Sequence, residues 1–407
     1  LRRDVEAVTG AALGRFLPGW HGVGQTAGHR ERLLEVIRQL QGVALPASAL
    51  ERDILSARMA YDAGLLDDLL ASGEVVWMGR GPLTAQDGRV ALYLRDQVSL
   101  LHWELGVEPP DAAIHQRLRD HLEQRGASFF RDLYVAAEGG DPAAVLEALW
   151  DLVWSGEVTN DTLAPLRAFL GPRRTGKRRR PTVSSATPAA GSGRWYLTSD
   201  LLAGVPALPE VQAKARAEQL LERHGVVTRD AVLSEGLPGG FAGLYPVLAA
   251  MEDAGRTRRG YFIEGLGGAQ FGQPGAIDRL RAPDDPSTTT LSAVDPANPY
   301  GATLAWPDHE AGRPARRTGA HVILRSGELV AYVERGARRV LTFGDPAPEI
   351  LAPAIADLAG RRRQTTIETV DGDSVASTSL GVALQEEGFS VGYKGLTHRP
   401  QRTRRRA

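Results

Sequence analysis

No cysteine occurs among the 407 residues, which excludes disulfides, thiolate metal sites and a cysteine nucleophile and fits a reducing cytoplasm. No apolar run approaches the roughly 18 residues that a membrane span needs, so none is expected. The nine histidines are scattered without a His-Glu-x-x-His pair, and a bound metal is not expected. The stretch Leu1 to Thr9 carries Arg2, Arg3, Asp4 and Glu6 and lacks the apolar core and small-residue cleavage site of a secretory signal. Starting at Leu rather than Met, the chain reads as a piece of a larger protein. A charge excess is missing too. Its 48 Lys and Arg against 49 Asp and Glu leave a formal net charge of -1, which argues against nucleic-acid binding over the whole surface.

A phosphate loop is also lacking. Gly171-Pro172-Arg173-Arg174-Thr175-Gly176-Lys177 imitates GxxxxGK, but Arg178 stands where a Ser or Thr would hold Mg²⁺. Pro172 would disturb the loop, and Arg179-Arg180-Pro181 follow in place of a helix. The chain therefore contains no ATPase engine of its own. Instead, Arg173, Arg174, Lys177, Arg178, Arg179, Arg180 and Arg194 lie among Pro, Ser, Thr and Gly with no acidic residue, which predicts a basic, flexible linker. The tail Arg402 to Arg406 is basic as well.

What is present is a repeat. An apolar helical stripe ends in a small residue and Gly, and a short extended run follows. It occurs at Leu66 to Val76, at Leu149 to Val158 and, more loosely, at Leu248 to Thr257. Upstream, each copy extends to three helices. The first runs through about Arg30 to Gln41, Ser48 to Leu55 and Tyr61 to Ser72. In the second, Ile114, Leu118 and Leu122 line one helix, Ser128 can cap another, and Asp141-Pro142 opens a third. The third has Glu210 to His224, Thr228 as a cap, a turn at Gly239-Gly240, and Leu244 to Ala254. Three short helices followed by a β-hairpin describe a winged helix.

A helix that reads the major groove should present Arg, Lys, Asn or Gln. These third helices carry Asp62, Asp67 and Asp68, then Glu147 and Asp151, then Glu252 and Asp253, so they read as scaffold or protein contacts. Trp150 and Trp154 suit either a packed interface or the core. The third wing differs, because Arg256, Arg258, Arg259 and Tyr261 combine guanidiniums with an aromatic ring, as a strand-binding surface requires. A solvated charged hairpin is the alternative. Gln270 lies in the Gly-rich stretch beyond, where backbone could approach a ligand.

After Pro286 the sequence reads as strands with tight turns, then a helix from Ala347 to Gly360, then strand, helix and strand. Asp295 in Asp295-Pro296-Ala297-Asn298-Pro299-Tyr300-Gly301 is either an acid–base carboxylate or a turn-initiating residue. The expectation is an α+β chain of tandem winged-helix domains, then a small antiparallel β-barrel and a C-terminal α/β segment. Its boundaries are 1–105 (winged-helix-like), 106–170 (winged helix), 171–194 (basic linker), 195–285 (winged helix), 286–346 (β-barrel) and 347–407 (αβ subdomain with basic tail).

Three stretches resemble the C-terminal half of the bacterial large helicase-related protein family, Lhr. They are Tyr245-Pro246-Val247-Leu248 through Arg258-Arg259-Gly260-Tyr261-Phe262, Gly265 to Phe271 with Pro274-Gly275-Ala276, and Asp295 to Gly301 with Trp306-Pro307. The resemblance implies a parent that is an ATP-dependent 3′-to-5′ helicase acting on single-stranded DNA and RNA–DNA hybrids in repair. Its hydrolase motor, with ATP and Mg²⁺, would lie N-terminal to this chain, which itself needs no cofactor. It further implies winged helices with a β-barrel, a plan similar to glycosylases of the AlkZ type, together with homo-oligomers and a cytoplasmic, nucleoid-associated location. Glycosylase activity on uracil is attributed to C-terminal regions of this family. The AlkZ type uses Gln-x-Gln, whereas this chain has Gln270-x-x-Gln273, a departure from that pattern.

On this reading the chain serves oligomerisation and single-stranded DNA binding. Arg256, Arg258, Arg259, Tyr261, Gln270, Arg173, Arg174 and Lys177 are the contact candidates. A glycosylase using Asp295 and Gln270 is the alternative. A sequence-specific regulator is a third possibility, which the acidic helices disfavour.

Overall fold

The helix, Gly and strand pattern folds three times into one topology. A computed structural model describes residues 6–104, 106, 108–171, 188–204, 207–283 and 285–400. Two compact units emerge, one from Leu1–Gly24 with Leu220–Ala407, the other from Gln25–Gln219, and the division falls within the helix Pro209–His224.

The first copy has helices Arg30–Leu40 and Ala63–Ala71, with the helical turns Ala47–Ala49 and Leu50–Leu55 between them. Strand Asp87–Leu94 is central, flanked by Leu45–Pro46 and Val75–Thr84. The second has helices Ala113–Arg125, Phe130–Ala136 and Pro142–Trp154, and its strand Arg194–Leu197 lies between Ser128–Phe129 and Val158–Asn160. The third has helices Pro209–His224, Arg229–Glu235 and Gly240–Asp253, and Gln270–Gly272 lies between Val226–Val227 and Arg258–Gly260. Each time the last strand enters the middle of the sheet. Gly73, Gly156 and Gly255 occupy the same place after the third helix, all with φ between 70° and 84°, where a side chain would be strained.

The Asp141 and Thr228 side chains cap their helices as the sequence suggests, and Asp62, which the sequence reading placed inside its helix, caps as well. Ser128 does not cap. It lies in a strand, and its hydroxyl donates to the Gly126 carbonyl. The strand Arg194–Leu197 reaches back across the basic segment to finish the second sheet, although the boundary expected at 194/195 assigns nearly all of it to the next domain.

Within Gln25–Gln219, helix Pro142–Trp154 packs on the first wing. A Cβ on Gly79 would sit 1.8 Å from the Val153 carbonyl oxygen, and one on Gly88 2.4 Å from the Trp154 ring. Trp150 and Trp154 are core residues. Trp150 stacks on Phe169 at 4.4 Å between centroids and donates from Nε1 to the Ala190 carbonyl at 3.1 Å.

The C-terminal part holds a six-stranded sheet in the order Thr288–Ser292, His321–Arg325, Glu328–Val333, Arg339–Thr342, Thr369–Val370, Asp373–Ser374. All pairs are antiparallel except Arg339–Thr342 with Thr369–Val370. No closed barrel is present among the described residues. The sheet ends on a two-residue strand, too short to pair back along Thr288–Ser292. Helices Pro348–Gly360 and Ser379–Glu386 share a core with this sheet and with a second one made of Thr365–Ile367, Gly395–His398 and Ser390–Gly392.

The N-terminal helix Gly10–Trp20 belongs to this same unit. Leu13, Phe16 and Leu17 join Val226, Ile263, Ile277 and Leu280 in one core. Gly14 meets the turn at Gly327 so closely that a Cβ would lie 2.1 Å from the Gly327 carbonyl oxygen. Among the described residues, no helix is long and apolar enough to cross a membrane, and no group of three or more His, Asp or Glu is placed to hold a metal.

Candidate nucleic-acid interface

The third wing is built on the pairing of Arg258–Gly260 with Gln270–Gly272, joined by residues 261–269. Gly-rich chain of this length would ordinarily sample many conformations. Two devices hold it. The first is Val8, whose N–H donates to the Phe262 carbonyl at 2.8 Å while its own carbonyl accepts from the Glu264 N–H at 2.8 Å. The second is Gln270, fully buried, whose Oε1 accepts from the Phe262 and Ile263 N–H groups, both at 2.9 Å. Its Nε2 donates to the Ile263 carbonyl at 2.9 Å and the Leu266 carbonyl at 3.3 Å. Phe262, Ile263 and Leu266 then sink into the core beneath helix Gly10–Trp20.

What this pinned backbone displays is polar. Arg256 and Arg258 are exposed, and Arg258 makes no ion pair among the described residues. Tyr261 is half-exposed, and its hydroxyl accepts from the Gly265 N–H at 2.9 Å, which fixes the ring. Arg259 donates to the Tyr245 hydroxyl at 2.8 Å and pairs with Glu252 at 3.1 Å, and these partners, Tyr245 first, raise its already high pKa. Tyr245 was not among the expected contact residues. Its place at the head of the stretch Tyr245-Pro246-Val247-Leu248 was the sequence signal for it, and its exposure beside the buried Leu244 and Leu248 emerges only in the fold.

Gln270, expected as a DNA-contacting and catalytic candidate, is a clamp with every hydrogen-bonding position committed inside the wing. Asp295 is fully buried in a separate turn, where its Oδ1 accepts from the Ala297 N–H at 2.7 Å. Arg316 lies beside it and donates to the backbone carbonyls of Asp295 at 3.0 Å and Asn298 at 2.8 Å. Burial lowers the Arg316 guanidinium to about 10, against the opposing pull of the Asp295 carboxylate. The geometry gives Asp295 and Gln270 a structural task each, Asp295 in its turn and Gln270 in the wing. Arg173, Arg174 and Lys177, together with the basic tail, lie outside the described residues.

Three carboxylates of the acidic third helices have partners within the fold. Asp67 accepts from Arg167 at 2.7 Å, Asp151 meets His115 at 3.3 Å, and Glu252 holds Arg259. Helix Pro142–Trp154 buries Val145, Leu149, Leu152 and Val153, and the face it leaves exposed, with Ala143, Glu147 and Asp151, carries acidic side chains that repel phosphate.

Three copies of one topology make this a tandem winged-helix protein. Two family models described as large helicase-related protein, winged-helix domain, match residues 8–95 and 206–291. A Mycolicibacterium smegmatis protein named Lhr helicase/probable uracil glycosylase is 44% identical over 437 residues, covering 97% of this chain and 28% of its own length. The Escherichia coli Lhr helicase/uracil glycosylase is 37% identical over 403 residues, covering 89% of this chain and 26% of its own. The chain thus spans little more than a quarter of these relatives. Among solved structures, the Streptomyces sahachiroi DNA glycosylase AlkZ is similar in fold, with a TM-score of 0.54 at 14% identity over 88% of this chain and 96% of that one. The chain belongs to the large helicase-related protein family, as a C-terminal part of it.

Proposed function

We propose that this chain is the non-motor module of an ATP-dependent 3′-to-5′ repair helicase, and that it holds single-stranded DNA and assembles with copies of itself. The observation that carries the reading is the pinned third wing in a chain of this family. Arg258 and Tyr261 project from backbone that Val8 and Gln270 hold in place. A guanidinium neutralises a phosphate, a fixed phenol ring offers a base a stacking face, and preorganisation lowers the entropy cost of binding. The winged-helix cores act as scaffold. The motor, with its ATP and Mg²⁺, belongs to sequence outside this chain and works in cis with it, and RNA–DNA hybrids fall within the same reading.

Fluorescence anisotropy with labelled oligothymidylate tests it. Arg258→Gln and Tyr261→Ala should each weaken binding about ten-fold, and Arg258→Gln should also reduce the salt slope by about one. Light scattering that finds a strict monomer, joined to a failure to bind single strands, would overturn the proposal.

A second reading, uracil removal, is favoured by the names of both relatives. Base release from uracil-containing single strands is the decisive measurement. No release by the unmodified chain removes this reading, and release that survives Asp295→Asn assigns the chemistry to other residues.

A further inference from the structure

Arg80 on strand Val75–Thr84, Trp103 just after the short helix Val98–Leu101, and Arg216 on helix Pro209–His224 converge within Gln25–Gln219. The guanidinium carbon of Arg80 lies 4.4 Å from the Trp103 ring centroid and that of Arg216 lies 5.9 Å from it. Arg80 donates from Nη1 to the Trp103 carbonyl at 2.6 Å, and Arg216 from Nη2 to the His102 carbonyl at 2.9 Å. Arg80 is only 3% exposed, and the Nε atoms of both arginines are buried without a hydrogen-bond partner.

Among the described residues, no carboxylate pairs with either guanidinium. Burial lowers the pKa of both, Arg80 lowers that of Arg216 further, and only the Tyr93 hydroxyl acts in the opposite sense. His102, next to Trp103 and edge-on to Tyr93, responds to the same field. Burial first, then Arg80 and Arg216, push it down to about 4, so it is neutral at pH 7. Buried charges are ordinarily paired, and two like charges around one ring are not. Packing alone would be served by apolar side chains. Arg216 and Trp103 are half-buried, so a ligand can reach the cluster from solvent. Two guanidiniums with spare N–H donors match the oxygens of a phosphate.

We infer that Arg80, Trp103 and Arg216 form a second binding site, for a phosphate group of a single-stranded nucleic acid. The choice of nucleic acid rests on the function proposed above, whereas the phosphate chemistry rests on this cluster alone. The site owes nothing to the basic wing, and no motif announces it, since its members stand 23 and 113 positions apart in the sequence.

The test uses the full chain with two probes, a ten-nucleotide oligothymidylate and inorganic phosphate, and three variants: Arg216→Gln, Arg216→Lys and the wing variant Arg258→Gln. Arg80 is left intact because its burial ties it to the fold. Affinity for the strand should fall about ten-fold in Arg216→Gln, with a salt slope smaller by about one, and Arg216→Lys should recover part of the loss. The His102 imidazole, followed by NMR, should titrate at higher pH when either probe binds, because an anion offsets Arg80 and Arg216. That response should persist in Arg258→Gln. Unchanged affinity and salt slope in Arg216→Gln, with a His102 resonance indifferent to the strand, overturns the inference. Loss of binding in Arg258→Gln alone would at the same time leave the proposed function standing. A chain that binds no strand sinks the proposed function, and the response of His102 to inorganic phosphate then decides the phosphate site by itself: a raised titration supports it, and none rejects it.

Discussion

Gln270 illustrates how a residue's surroundings decide its task. In the sequence it stands among glycines and looks available to a ligand, yet one buried amide satisfies four backbone groups of the wing. Gln270→Ala leaves those groups buried and unmatched, and should lower unfolding stability by about 3 kcal/mol in urea titrations. Glu235 supplies a pH dependence. Burial by itself would raise its carboxyl, but the Arg223 charge, at 2.8 Å, and the His224 hydrogen bond, at 2.5 Å, outweigh burial and bring it down to about 2. A depressed carboxylate pKa stabilises the fold above the unfolded value of about 4.3, and that contribution disappears as pH falls towards 2. The difference is worth about 3 kcal/mol in total. Stability measured from pH 5 to pH 2 should therefore fall more steeply in the unmodified chain than in Glu235→Gln, and parallel curves would refute the assignment.

At the scale of elements, close approach matters more than composition. Gly79 lets the first wing lie against the carbonyl of Val153, and Gly79→Ala forces two backbones apart. A loss of about 3 kcal/mol is expected, read as a lower denaturation midpoint with an unchanged m-value. The helices, their caps at Asp141 and Thr228, and the terminal glycines were legible because each is a local signal. The buried stripe of helix Pro142–Trp154 was legible from the spacing of Val145, Leu149, Leu152 and Val153. Strand Arg194–Leu197 was harder to place, because its partners Val158–Asn160 and Ser128–Phe129 precede a long basic segment that resembles a domain boundary. The expected barrel is not found closed among the described residues, for a similar reason. The sheet turns on a parallel pairing of Arg339–Thr342 with Thr369–Val370 across an intervening helix, and tight turns alone do not encode it. The Arg80, Trp103 and Arg216 cluster left no trace at all in sequence spacing.

At the scale of the molecule, one unit is assembled from both ends of the chain while Gln25–Gln219 is continuous. Helix Gly10–Trp20 supplies Leu13, Phe16 and Leu17 to a core whose other members begin at Val226. Each such side chain contributes about 2 kcal/mol on burial. Deleting residues 1–24 should therefore lower the melting temperature of that unit by roughly 15 °C in calorimetry, with little change in the transition of Gln25–Gln219. The same deletion removes Val8, whose carbonyl accepts from the Glu264 N–H, so the wing should also lose hydrogen-exchange protection at the Glu264 amide.

The divided unit has a consequence during synthesis. A ribosome delivers the N-terminal side first, so helix Gly10–Trp20 emerges about 200 residues before the strands and loops that cover it. At about 5–20 residues per second that interval lasts roughly 10 to 40 s. Throughout it an apolar helical face waits in solvent while Gln25–Gln219 has everything needed to fold. Nascent-chain crosslinking should find that face held by a chaperone until Ile277 and Leu280 leave the exit tunnel.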